Sequence, residues 1–264
     1  MSDHNQPACA ISIVIPVLNE AANLPALISR LYVAAGRAQA RDPQLALEVI
    51  IVDGGSTDAT LAVARGQGVT VVSSAAGRGR QMNAGARQAH YGLLWFLHAD
   101  SVVPPDFVEQ LAAAWASGAA WGRFDIRFDS SQWRFGMLAW FMNWRSRVTG
   151  ICTGDQGMFV QRELFNQLGG FAEIPLMEDI EISRRLRQHQ PPRCVVGPLR
   201  TSARRWQQQG FVKTVLFMWS LRWRYFFGAS PAALVARYYP AYRYPADSSQ
   251  EVSNLAARKE DQHD

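Results

Sequence analysis

Residues 46–58 read Ala46-Leu47-Glu48-Val49-Ile50-Ile51-Val52-Asp53-Gly54-Gly55-Ser56-Thr57-Asp58. A run rich in Val and Ile, ended by a carboxylate and two glycines, predicts a buried strand whose chain turns sharply at its carboxyl end. A helix-like stretch over 58–65 follows. The same alternation continues on either side. An apolar run over 11–17 precedes a helix over 21–35, and one over 69–73 precedes a helix over 80–90. A fourth run over 93–97 leads through Pro104-Pro105 into a helix over 106–115. Repeated strand-turn-helix units predict an α/β fold with a mostly parallel central sheet and helices on both faces. Ligands of such sheets sit beyond the carboxyl ends of the strands, which is where the polar motifs cluster.

Past residue 118 the alternation loosens into a strand over 119–128, an aromatic-rich helix over 133–147 and a Gly-rich stretch over 150–157. Helices over 178–189 and 210–227 come next. The expected organisation is a flexible start over 1–9, one α/β domain over 10–206 divided near 117, C-terminal helices over 207–244 and a disordered tail over 245–264. With 264 residues, 48% of them hydrophobic, the chain has material for one sizeable core. Cys9, Cys152 and Cys194 form no C-x-x-C pair, so neither a zinc site nor a disulfide framework is expected and a reducing compartment fits best. No signal-peptide pattern or membrane-spanning apolar run occurs, so a cytoplasmic location is expected. The net charge of +5 is uneven, with arginines beside aromatics over 123–147 and 184–224. That pattern suits an anionic partner, and composition alone does not choose among nucleic acid, anionic lipid and a diphosphate.

The motifs narrow the choice. Pro16-Val17-Leu18-Asn19-Glu20 closes the first strand, where Asn-Glu can also start the next helix. Asp53 ends the second strand; a helix cap does not require it, and a carboxylate there can accept from a nucleobase N–H or a ribose hydroxyl. Thr57 or Asp58 suffices to cap the following helix. Gly77-Arg78-Gly79-Arg80-Gln81-Met82-Asn83-Ala84-Gly85 brings two guanidinium groups to a helix start, suited to phosphate oxygens or simply a solvated basic turn. Its spacing matches neither a P-loop nor the dinucleotide fingerprint. In His98-Ala99-Asp100 two polar side chains stand two apart after an apolar run, as on one face of a strand end. Their oxygen and nitrogen donors suit Mg²⁺ or Mn²⁺, although His98 on its own also reads as a core histidine. Glu178-Asp179 opens a helix, where the dipole favours carboxylates for structural reasons; a group-transfer enzyme would use one of them as a base.

In this order along residues 10–200 the segments resemble glycosyltransferase family 2. The resemblance implies a GT-A fold, with a nucleotide-sugar-binding half over 10–117 and an acceptor half over 118–206. It also implies a nucleoside-diphosphate sugar donor, UDP-sugar by default, a divalent metal, and hexosyl transfer with inversion to an acceptor hydroxyl. Carried over by position, Pro16, Asn19, Glu20, Asp53 and Gly55 belong to the nucleotide site, with Asp53 on the base. Arg78 and Asn83 serve the nucleotide or diphosphate, Asp100 the metal, and Asp179, beside Glu178, the catalytic base. Gly54 stands where the family often has a second aspartate, and His98 where it has an aspartate, which makes His98 a neighbour of ribose or metal. His98-Ala99-Asp100, Gly154-Asp155-Gln156-Gly157 and Ser202-Ala203-Arg204-Arg205-Trp206 resemble a soluble bacterial subgroup named for radical-SAM or selenodomain association. On that resemblance Asp155, Gln156, Arg204, Arg205 and Trp206 fall on the acceptor or diphosphate.

The rival enzyme class, sugar-phosphate nucleotidyltransferases, has a Gly-rich, Arg-containing loop after the first strand, where this chain has Pro-Val-Leu-Asn-Glu. A non-catalytic rival is a peripheral membrane binder built on the helices over 133–147 and 210–227. A lipid-linked acceptor would reconcile the two, and no nucleic-acid partner is expected.

Overall fold

The computed structural model describes residues 9–238; the expected tail, residues 239–244 and most of the expected flexible start lie outside them. A seven-stranded sheet runs in the order β3-β2-β1-β4-β6-β5-β7. Its strands are β1 (Ala10–Val17), β2 (Ala46–Asp53), β3 (Thr70–Ser73), β4 (Leu93–Phe96), β5 (Trp121–Phe128), β6 (Phe159–Gln161) and β7 (Arg193–Thr201). Only β6 runs against the others. Side-chain alternation assigns the two faces. Ile11, Ile13 and Ile15 of β1 pack with Trp95 of β4 under α1 (Leu24–Gln39) and α4 (Phe107–Ala116). Val14, Val52, Leu94 and Phe96 face the opposite core, beneath α3 (Arg78–Gln88), α6 (Arg162–Gln167) and α7 (Glu178–His189). The short α2 (Thr60–Gly66) joins β2 to β3.

Pro16 does not end β1, because pairing with β2 continues through Pro16↔Val52 to Val17↔Asp53. The Val14 carbonyl accepts from Leu97 on the β4 side, so Pro16, two residues on, turns its missing N–H toward that side, past the last paired residue of β4. Two strands escape the sequence patterns. β6 is three residues long, and β7 carries Gly197-Pro198, which the sheet tolerates because β7 is an edge.

Gly85 shows how close α3 sits to the sheet: a Cβ there would lie 2.4 Å from Val14 Cγ1 and 2.8 Å from Val52 Cγ2. Gly85→Ala is therefore expected to cost roughly 1–3 kcal/mol, read as a fall of several degrees in Tm. An unchanged Tm would mean that α3 is not seated this tightly.

The C-terminal helices close over the carboxyl ends of the strands. α5 (Trp133–Thr149) packs on β5, followed by α8 (Arg204–Gln209), α9 (Phe211–Phe226) and α10 (Pro231–Tyr238). Leu221 of α9 and Leu234 of α10 bury against Met177 and Ile180, so this extension packs directly on the start of α7.

Candidate functional site

The strand order reverses between β1 and β4, and such a switch point opens a crevice at the strands' carboxyl ends. A cavity of about 760 Å³ lies there, and a second of about 320 Å³ shares Glu20, Arg78, His98, Asp100 and Glu178 with it. Asn19, Asp155, Asp179, Arg204 and Trp206 line the larger one, and Pro16 the smaller.

His98 and Asp100 reach this space by another route than strand alternation. β4 ends at Phe96, and the chain turns, with the Ser101 N–H donating to the His98 carbonyl. The turn delivers both side chains to the same cavity. His98 is desolvated and close to the Arg78 guanidinium, which together bring its pKa down to about 3. Its imidazole is thus neutral, a donor or ligand and not a cation. Asp100 opens onto the cavity, yet the surrounding walls desolvate its carboxyl enough to raise its pKa.

Asp179 sits in the first turn of α7, behind Met177 at a left-handed φ of 72°. Its Oδ2 accepts from the Gly154 N–H at 2.9 Å and its Oδ1 from the Ile180 N–H at 2.7 Å. Ser183, one turn on, donates to the Asp179 carbonyl and accepts from the Cys152 N–H, which joins α7 to the 3₁₀ turn Gly154–Gln156. Gly154 is wedged against the histidine, since a Cβ there would lie 2.7 Å from His98 Nε2 and 3.9 Å from Asp179 Oδ2. His98, Gly154 and Asp179 therefore form one contiguous wall.

A model of the family described as "Glycosyl transferase family 2" matches residues 12–169, more than half of the chain. The chain belongs to this family. Among solved structures it is similar to S. aureus TarS 1-349 in complex with UDP (TM-score 0.56, 14% identity, covering 73% of this chain and 60% of that one). It is also similar to the mannosyltransferase PcManGT of Pyrobaculum calidifontis with GDP-Man and Mn²⁺ (TM-score 0.54, 20% identity, 94% and 80% covered). A third is glucosyl-3-phosphoglycerate synthase of Mycobacterium tuberculosis with Mn²⁺, UDP and glucosyl-3-phosphoglycerate (TM-score 0.53, 21% identity, 75% and 74% covered). The chain thus spans 60% of the TarS fragment, and no curated protein matches it in sequence. The shared fold is that of nucleotide-sugar glycosyltransferases.

Several residues that the resemblance assigns to ligands also hold the surrounding backbone. Asp53 is 2% exposed and absent from both cavity walls; its carboxylate accepts from the Gly55 and Ser56 N–H groups and shapes the turn that Gly55 makes at φ 95°. Asn83 holds the Phe171 backbone through both its amide oxygen and nitrogen, away from the cavities. Gln156 is fully buried and its Oε1 caps Thr153. Asn19, at φ 57°, keeps its place on the cavity while its Oδ1 accepts from the Thr57 and Asp58 N–H groups, binding the first strand's loop to the second's. The Arg205 side chain lies outside the described residues.

Gln81 escaped the motif reading. Its Nε2 bridges the carbonyls of Val17 and Val52 at the tips of β1 and β2, and it lines the smaller cavity. A Cβ on Gly54 would come within 2.9 Å of that amide, so the family's second aspartate would have to displace the end of the Gln81 side chain.

Glu178 is buried beside Asp179, and desolvation followed by that neighbour's charge pushes its pKa up to about 7. The folded state then holds a proton that the unfolded chain releases near 4.5, so this group's contribution to stability falls as pH rises from about 4.5 to 7. Glu178→Gln is expected to remove that decline, gaining on the order of 2 kcal/mol over wild type at pH 8 and little at pH 4. Paired urea titrations across that range check this, and a difference independent of pH would contradict it.

Among the described residues no cluster of three or more His, Cys, Asp or Glu side chains forms a complete metal cage. Where Arg78 lines the cavity, the Asp100 carboxylate and the neutral His98 imidazole are two donors on its wall. Those two fit Mg²⁺ or Mn²⁺, which take few protein ligands and complete their shell with phosphate oxygens and water.

Proposed function

We propose that this protein is a metal-dependent, inverting glycosyltransferase that moves a hexosyl unit from a nucleoside-diphosphate sugar to an acceptor hydroxyl. The observation that carries this is the convergence of Arg78, His98, Asp100 and Asp179 on one cavity at the switch point of the sheet. Arg78, at the start of α3, faces the donor's diphosphate, and Asp100 with His98 would hold the metal on it. When bound, the metal neutralises negative charge on the departing nucleoside diphosphate. Asp179 takes the proton of the acceptor hydroxyl as its oxygen bonds to the anomeric carbon, opposite the breaking bond to the diphosphate. Asp179 lines the larger cavity with its Oδ2 on the Gly154 N–H, while Glu178 beside it is 6% exposed. UDP is the default nucleotide. UDP and GDP-Man both occur among the similar structures, with Mn²⁺ in the mannosyltransferase and in glucosyl-3-phosphoglycerate synthase. The likeness to the radical-SAM/selenodomain subgroup names no substrate. A thermal-shift panel of nucleoside diphosphates and their sugars with Mn²⁺ tests the reading: one base class raises Tm with saturation, whereas no response to any would sink it.

We further propose that the enzyme works at the inner face of an anionic membrane on a lipid-borne acceptor. Trp133, Met137, Trp140, Trp144 and Val148 line one exposed face of α5, and Val212, Leu216, Trp219, Trp223 and Phe226 one face of α9. The faces join where Phe141 meets Trp219, 5.4 Å between ring centroids, and both of these residues line the larger cavity. Exposed Lys213 and Arg224 of α9, on a pair of helices with no acidic residue, complement anionic headgroups. No helix among the described residues is long and apolar enough to cross a membrane, so contact would be peripheral. In flotation the protein is expected to rise with anionic vesicles, less with zwitterionic ones, and not with Trp140→Ala/Trp223→Ala. A wild type that stays at the bottom, or that buries this face in a dimer by sedimentation, would overturn the membrane assignment.

A further inference from the structure

The part of the larger cavity nearest Asp179 is walled by α5 and α9. Phe141 and Met142 of α5 and Met218 and Trp219 of α9 line it, and one turn further along each helix stands an arginine, Arg145 and Arg222. Arg222 lines the cavity directly. Arg145 is drawn in beside it: its Nε and Nη2 are shut off from solvent with no acceptor. Of the charges that bear on Arg145, those of Arg222, Asp155 and Asp179 sit on the cavity wall. Burial first, then the like charge of Arg222, bring its pKa down from 12.5 to about 10. Neither arginine forms an ion pair within 4.0 Å among the described residues. Two under-partnered guanidinium groups held side by side are costly to the fold and are completed by a ligand carrying negative charge.

We propose that Arg145 and Arg222 form an anion subsite that grips a phosphate or carboxylate group on the acceptor, close to the hydroxyl that Asp179 deprotonates. The proposal rests on the transferase reading only in naming this ligand the acceptor. Placement separates it from the donor's diphosphate. Arg78, at the start of α3, lines both cavities, whereas Arg222, on α9, lines only the larger one. The acceptor then carries an anion within a few bonds of its reactive oxygen, and the apolar walls of α5 and α9 take whatever extends from it.

Inorganic phosphate is the probe, titrated by calorimetry at constant ionic strength into wild type, Arg78→Gln and the double variant Arg145→Gln/Arg222→Gln. Wild type and Arg78→Gln are expected to bind phosphate alike, and the double variant at least tenfold more weakly. In the double variant, affinity for a nucleoside diphosphate with Mn²⁺ should change less than twofold, and the ligand-free Tm should equal or exceed that of wild type, since two crowded like charges without hydrogen-bonded ion-pair partners have been removed. If the double variant does not fold, the single Arg222→Gln, on the half-buried cavity wall, carries the same comparison. Unchanged phosphate affinity in the variant, loss of phosphate binding in Arg78→Gln, or equal loss of nucleotide binding would each overturn the subsite. A wild type that binds phosphate but no nucleoside diphosphate would sink the transferase reading and leave the anion subsite standing.

Discussion

Asp179→Asn is expected to lower turnover by about 10³-fold, within the range a positioned general base contributes, while the Kd for the nucleotide donor stays within about twofold. The asymmetry follows from what the substitution keeps. An amide oxygen can still accept from the Gly154 N–H that now meets Oδ2 at 2.9 Å, so the 3₁₀ turn and the wall it shares with His98 persist. What disappears is a group able to receive the acceptor's proton. On the proposed mechanism Asp179 acts only when the acceptor hydroxyl loses that proton, so the loss falls on kcat and not on donor binding. Single-turnover transfer measured beside donor titration separates the two. Near-normal turnover would remove Asp179 from the base role.

Asp100→Ala should show the opposite pattern. In saturating Mn²⁺ the affinity for a nucleoside diphosphate is expected to fall by about 100-fold, roughly 2.7 kcal/mol, and the difference from wild type should vanish when the metal is chelated. The reason is the sparseness of the site. On the proposed reading Asp100 is the carboxylate in bonding reach of the cation, and neutral His98 alone is a weak anchor. Wild-type affinity in the variant at saturating Mn²⁺ would assign the metal elsewhere.

Why some of this was legible in the sequence and some was not has a physical basis. α7 matches the sequence expectation at both ends, because acidic residues in its first turn and basic ones in its last suit the helix dipole. β1, β2 and β4 announced themselves as apolar runs ending in polar residues, since a parallel strand buried on both faces has no other way to read. Asp53, Asn83 and Gln156 carry ligand roles by resemblance, and the backbone hydrogen bonds each also makes come from segments that residue spacing does not bring together. His98 and Asp100 share a cavity through a turn, a geometry that residue spacing does not encode. Gln81 and Arg145 were invisible because each acquires its neighbours only when distant segments meet: the tips of β1 and β2 for the first, α9 and the start of α7 for the second. β6 is too short to carry a period, and the Gly197-Pro198 of β7 reads as a turn until the sheet places it at an edge.

The central claim is that Asp100 holds a divalent cation on a nucleoside diphosphate whose phosphates face Arg78, with Asp179 across the cavity. Anomalous scattering from a crystal grown with Mn²⁺ and the nucleoside diphosphate selected by thermal shift measures this directly. The predicted result is one manganese peak in bonding contact with an Asp100 oxygen and with the diphosphate. A nucleotide bound with no manganese at Asp100, or with its phosphates away from Arg78, would contradict it.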